Sequence, residues 1–66
     1  MRMVVFTKQE ADAIVQRIVG SHEFAARWWN SPNYAFALET PENTWHEDPD
    51  QVRQYLCFHA EKSGVL

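Results

Sequence analysis

Residues 28–45 read WWNSPNYAFALETPENTW, and the placement of the prolines in and just after this stretch decides the fold. Ser31-Pro32 and Thr40-Pro41 each set a hydroxyl side chain before a proline, and Asp48-Pro49 repeats the device with a carboxylate. Such side chains accept a hydrogen bond from an amide in the first turn of a helix. Proline at the first helical position loses nothing, because that amide has no intrahelical partner, and it pushes the residue before it out of the helical region. Each pair is therefore expected to end one helix and open the next. The spacing predicts short helices near 32–37 and 41–47, then a longer one from Pro49 to about Lys62. Val52, Tyr55, Leu56, His59 and Ala60 form the inner stripe of that last helix, Asp48 and Asp50 favour the positive end of its dipole, and Gly64 can stop it.

The same signals continue upstream. Thr7 with Glu10 three residues on is a capping box, and Phe6 can staple against Ala11. Ala11, Ile14, Val15 and Ile18 recur at helical spacing, and Gly20 can end that helix in the left-handed conformation. Ser21 can cap a second helix at once, with Phe24, Ala25 and Trp28 on its inner face and Trp29 at the margin. A lone strand cannot satisfy its edges, so residues 3–6 (Met3, Val4, Val5 and Phe6) form either an extended segment packed on the helices, the favoured reading, or half of a two-chain ribbon. The fold class expected is all-α: a compact bundle of four to five short helices with an extended N-terminal segment, and residues 1–66 as one small domain.

At 66 residues the chain has room for one small core, and a domain of this size buries only about 60% of the surface its unfolded chain exposes. Cys57 is the only cysteine, so no internal disulfide forms and a reducing cytoplasmic setting is expected. The longest apolar run, residues 3–6, falls far short of a membrane span of roughly 20 residues. Charge is uneven. Residues 1–27 carry +1, residues 28–52 carry −5 from Glu39, Glu42, Glu47, Asp48 and Asp50 with no Lys or Arg, and the remainder carries +1. Nucleic-acid binding draws on clustered positive charge, so direct contact with DNA or RNA is not expected.

Candidate chemistry is sparse. His46-Glu47-Asp48 reads as a solvated helix end, since consecutive residues there diverge and metal ligands must converge at about 2.0–2.2 Å. Cys57 and His59 lie on different faces of one helix. The thiol reads as structural and half-buried, and His59 as a hydrogen-bonded packing residue. Without a phosphate loop or a nucleophile motif, no enzyme, cofactor or metal is expected. The nine aromatic residues divide into a core of Phe24, Trp28, Phe36, Trp45 and Tyr55 and a remainder in which Trp29 or Tyr34 anchors a self- or partner interface.

These residues carry a resemblance. Residues 26–45 resemble the C-terminal, toxin-binding domain of the MbcA/ParS/Xre antitoxin family, whose pattern has the form A-x-W-L-x-T-P-N-x-A-L-G-G-x-T-P-x-x-L. Ala26 and Trp28 stand at its opening positions and Trp29 replaces its leucine. Ser31, Pro32 and Asn33 stand at T-P-N, Ala35 and Phe36 at A-L, Thr40 and Pro41 at the second T-P, and Trp45 in the region of its apolar anchor. Two departures accompany the match. Ala37-Leu38 replace the double glycine, so the left-handed turn there is expected to be altered or absent. The family's DNA-binding helix-turn-helix has no counterpart in the residues before Ala26.

The resemblance implies a stand-alone module that binds and neutralises another protein. By family, the partner is a RES-type, NAD-consuming toxin, blocked near its active-site entrance by C-terminal segments; Glu61, Lys62, Val65 and Leu66 are then the tail residues to suspect. The alternatives are a small phage- or mobile-element-encoded inhibitor of a host protein, built on the same frame, and a structural homo-oligomer joined through its aromatic face.

Overall fold

A computed structural model describes residues 5–64. Four α-helices follow one another: α1 over Lys8–Val19, α2 over His22–Trp29, α3 over Pro41–Glu47 and α4 over Pro49–Ser63, with a 3-10 turn over Tyr34–Phe36 between α2 and α3. The described residues contain no strand, and the all-α expectation holds. Met3 and Val4 of the N-terminal segment, and Val65 and Leu66 of the tail, lie outside the described residues.

Local chemistry sets the helix ends. The amide of Glu10 donates to Thr7 Oγ1 at 3.1 Å while Glu10 Oε1 accepts from the amide of Thr7 at 2.9 Å, which completes the capping box. Gly20 closes α1 at φ +96°, in the left-handed region that glycine enters without a Cβ penalty. Ser21 caps α2 and Thr40 caps α3, each accepting from the amide three residues on at 3.1 Å. Proline opens both α3 and α4.

Two of the three cap-proline pairs depart from expectation. Ser31 caps nothing: its hydroxyl donates backward to the carbonyl of Arg27 at 2.6 Å, finishing α2, and Pro32 precedes the next turn. Asn33 takes over the cap, its Oδ1 accepting from the amide of Ala35 at 2.9 Å. Asp48 opens α4 with no side-chain cap bond. It also ends α3, its amide donating to the carbonyl of Thr44, and its carbonyl accepts from the amide of Gln51.

Helix α1 packs against α2 and α4, and α3 packs against α2 and α4. The core between them holds Phe6, Ala11, Val15, Ala25, Trp29, Phe36, Val52 and Leu56. The Cα radius of gyration is 10.9 Å, against about 11 Å for a compact domain of this length. On α4 the stripe is borne out: Val52, Leu56 and Ala60 are fully enclosed, with Tyr55 and His59 half-buried beside them.

On α2 the stripe is rotated by one residue from the expected one. Ala25 and Trp29, one turn apart, face inward, while Phe24 is 55% exposed and Trp28 half-buried. Adjacent helical positions differ by about 100°, so only one of two neighbouring tryptophans can point into the core. Trp29 wins because α1 offers its indole N–H a partner, which a buried tryptophan needs. Nε1 donates to Asp12 Oδ1 at 2.8 Å, and Lys8 Nζ sits 4.4 Å above the ring.

Candidate interaction surface

The expected anchors separate once placed. Trp29 is 4% exposed and offers no surface to a partner. Tyr34 is 90% exposed, on the outside of the 3-10 turn. Glu61 and Lys62 are exposed at the end of α4.

One side of the molecule is closed by its own charges. Lys8 Nζ donates to Glu42 Oε1 at 2.7 Å, and His46 Nε2 lies 3.1 Å from Glu42 Oε2. The hydrogen bond from Lys8 is the main reason that the Glu42 carboxyl titrates below the ordinary glutamate value; partial desolvation opposes it, and the Lys8 and His46 charges add to it. Arg53 donates from Nε to the carbonyl of Phe6 at 2.8 Å and from Nη1 to Asp50 Oδ1 at 2.8 Å, with its guanidinium 4.9 Å from the Trp45 ring. Trp45 meets Trp29 edge to face at 6.1 Å. Every group here is engaged within the fold.

The segment 33–39 is built differently. Phe36 turns inward, 3% exposed, and its ring meets Trp28 at 6.3 Å and Tyr55 at 5.1 Å. The backbone above it closes on itself. The carbonyl of Asn33 accepts from the amides of Phe36 at 3.0 Å and Leu38 at 2.9 Å. The amide of Glu39 donates to the carbonyl of Phe36 at 3.0 Å, and the amide of Asn33 to the carbonyl of Glu39 at 3.1 Å. The central residues of that tight turn, Ala37 and Leu38, have φ +56° and +69°. The left-handed turn is therefore retained, contrary to expectation, on two residues with side chains. Turns with positive φ at both central positions are normally made by Asn-Gly or Gly-Gly, and each non-glycine residue placed there costs roughly 1–2 kcal/mol. Leu38 is 57% exposed, and with Tyr34 it makes the outer, apolar side of the turn.

A row of rings leads from this turn toward the C-terminal end of α4. Phe36 contacts Tyr55, Tyr55 lies 4.2 Å from His59, and His59 lies 5.5 Å from Phe58. Lys62 Nζ stands 5.0 Å over the Phe58 ring. The row thus ends on one of the suspected tail residues. Phe58 is 56% exposed, and His59 packs through its ring, without the expected hydrogen bond among the described residues.

Sequence reasoning missed Leu38 and Phe58 as surface residues. Phe58 was findable, because it falls off the 52–56–60 stripe of α4; Leu38 was not, since no sequence signal marks a left-handed leucine. Among the described residues no three His, Cys, Asp or Glu side chains converge as a metal site, and no helix is long and apolar enough to cross a membrane. Comparison with protein-family models, with curated proteins and with solved structures finds no match to this chain.

Proposed function

We propose that this chain is a non-enzymatic protein-interaction module of the antitoxin type, which neutralises a partner protein by binding it. The observation that carries this reading is the backbone at Ala37 and Leu38, with φ +56° and +69°. These two positions correspond to the double glycine of the MbcA/ParS/Xre pattern, and positive φ is the conformation for which glycine is used. A left-handed backbone at these two positions is what the glycines of the pattern would serve, and it supports the reading although the residues there are Ala and Leu. Thr40 and Pro41, matched to the second T-P of the pattern, open α3 as cap and first residue.

In this reading the partner is a RES-type toxin, and the end of α4 with Glu61, Lys62 and the following Val65 and Leu66 contributes to its capture. Co-expression of the chain with the product of the adjacent reading frame is the test. Rescue of growth and a stable complex are expected. A non-toxic neighbour, or neither rescue nor complex, overturns the toxin reading, and retention of an unrelated host protein would move the assignment to a host-protein inhibitor.

A further inference from the structure

We infer that the outer side of the 33–39 turn is a docking surface for a protein that presents an apolar depression rimmed by Lys and Arg. The inference rests on the reading of the chain as a binding module and names the surface and the chemistry of its partner. Leu38 is unfavourable to the isolated domain on two counts. Its left-handed backbone is strained in a way glycine's is not, and the residue is 57% exposed, where burial returns little. Tyr34, four residues earlier on the same closed turn, is 90% exposed. An aromatic and an aliphatic side chain projecting from a rigid, internally hydrogen-bonded turn are pre-organised anchors, which lose little entropy on docking. Backbone strain held at an exposed position is what a surface committed to a contact shows.

The charge around the turn selects the occupant. Glu39 follows Leu38 directly, and Glu47 and Asp48 lie at the far end of α3, a helix about 10 Å long. That already exceeds one Debye length at physiological salt, about 8 Å, so Glu39 is the carboxylate that acts directly on a ligand at the turn, and Glu47 and Asp48 add only a weaker, screened field of the same sign. None of them has an ion pair among the described residues; Glu42, by contrast, is neutralised by Lys8. No Lys or Arg occurs between residues 28 and 52 to offset them. A basic rim on the partner complements this field and speeds association, whereas nucleic acid is repelled by it. A second copy, with net charge −3, is disfavoured on the same ground.

The experiment places the photo-crosslinking residue p-benzoylphenylalanine at Tyr34, in the cells that express the protein, with the same probe at Ala13 on α1 as control. The crosslinked protein is then purified and titrated against the unmodified chain, Leu38→Gly and Leu38→Asn. The result expected is one adduct specific to position 34, with a basic partner. Both variants, which suit a left-handed backbone, should keep or raise Tm and weaken binding by about tenfold or more, and added salt should slow association. An absent adduct, an adduct with a second copy, or affinities indifferent to Leu38→Gly and Leu38→Asn overturns the inference. Binding of the adjacent-frame product that is lost on removal of Val65 and Leu66 but unchanged in both Leu38 variants would remove this inference and leave the toxin reading standing. An adduct on a different protein, sensitive to Leu38, would do the reverse.

Discussion

Gly20 and the Ala37–Leu38 pair solve the same backbone problem with opposite residues. Both turn the chain through the left-handed region, at φ +96° in the first case and +56° and +69° in the second. At Gly20 the turn only ends α1, and glycine makes it without strain. At residues 37–38 the turn also carries a surface, and side chains stand where glycines would be more stable. The contrast teaches that conformational cost alone does not explain the residues of the second turn. Phe36, buried beneath it against Trp28 and Tyr55, provides the packing that holds such a conformation in place.

The comparison breaks most severely if that anchor is removed. Phe36→Ala deletes a core ring and should cost about 3–5 kcal/mol, enough to unfold much of the population in a domain this small; urea denaturation followed by tryptophan fluorescence measures it. Next comes Gly20→Ala. A Cβ built there meets nothing within 4 Å, so the loss, about 1–2 kcal/mol, reports backbone strain free of steric clash. Leu38→Gly is its mirror image. Relief of strain and the entropy that glycine adds to the unfolded chain oppose each other, and a net gain of about 0.5–1 kcal/mol is expected from a rise in Tm. A loss instead would mean that Leu38 contributes packing to the isolated domain, and the contrast with Gly20 would dissolve.

The caps after the turn give a pair of effects of about the same size or less. Thr40→Ala removes a formed cap bond and should cost about 1 kcal/mol. Asp48→Ala removes none and should change stability by less than about 0.5 kcal/mol. The last effect is electrostatic and bears on pH dependence. Glu42 titrates below its ordinary value of 4.5 when folded, chiefly through the hydrogen bond from Lys8. A carboxyl with a depressed folded pKa contributes stability above its unfolded pKa and loses it as pH falls through the folded value. Glu42→Gln should therefore flatten the acid limb of the stability–pH curve. With roughly a third of the side chain exposed to screening solvent, the change is under about 1 kcal/mol.

Much of the fold was legible because its signals are local. The Thr7–Glu10 box, the Ser21 and Thr40 caps, the prolines of α3 and α4 and the glycines at 20 and 64 act within a few residues of themselves. They set helix ends whatever the rest of the chain does. The Ser31-Pro32 misreading belongs to the same scale, since a serine hydroxyl accepts from an amide ahead or donates to a carbonyl behind with similar ease, and the sequence alone does not choose.

The candidate surface was less legible, because exposure is settled by neighbours distant in sequence. Composition points to Tyr34, but it does not separate the two tryptophans: Trp28, expected in the core, packs against it half-buried, whereas Trp29, offered as a partner anchor, is the one enclosed. A helical stripe locates the apolar side only to within one residue, and the choice between adjacent tryptophans fell to Asp12 and Lys8, seventeen and twenty-one positions away, which hold one indole and not the other.

By itself, then, the sequence determined where helices start and stop, that the chain is all-α, and where its carboxylates gather. Tertiary structure alone decided which tryptophan is buried, which carboxylates are neutralised, and that Ala37 and Leu38 turn left-handed. The physical reason is one of range: caps and prolines act over a single turn of helix, whereas burial, ion pairing and tolerated strain exist only once remote segments have come into contact.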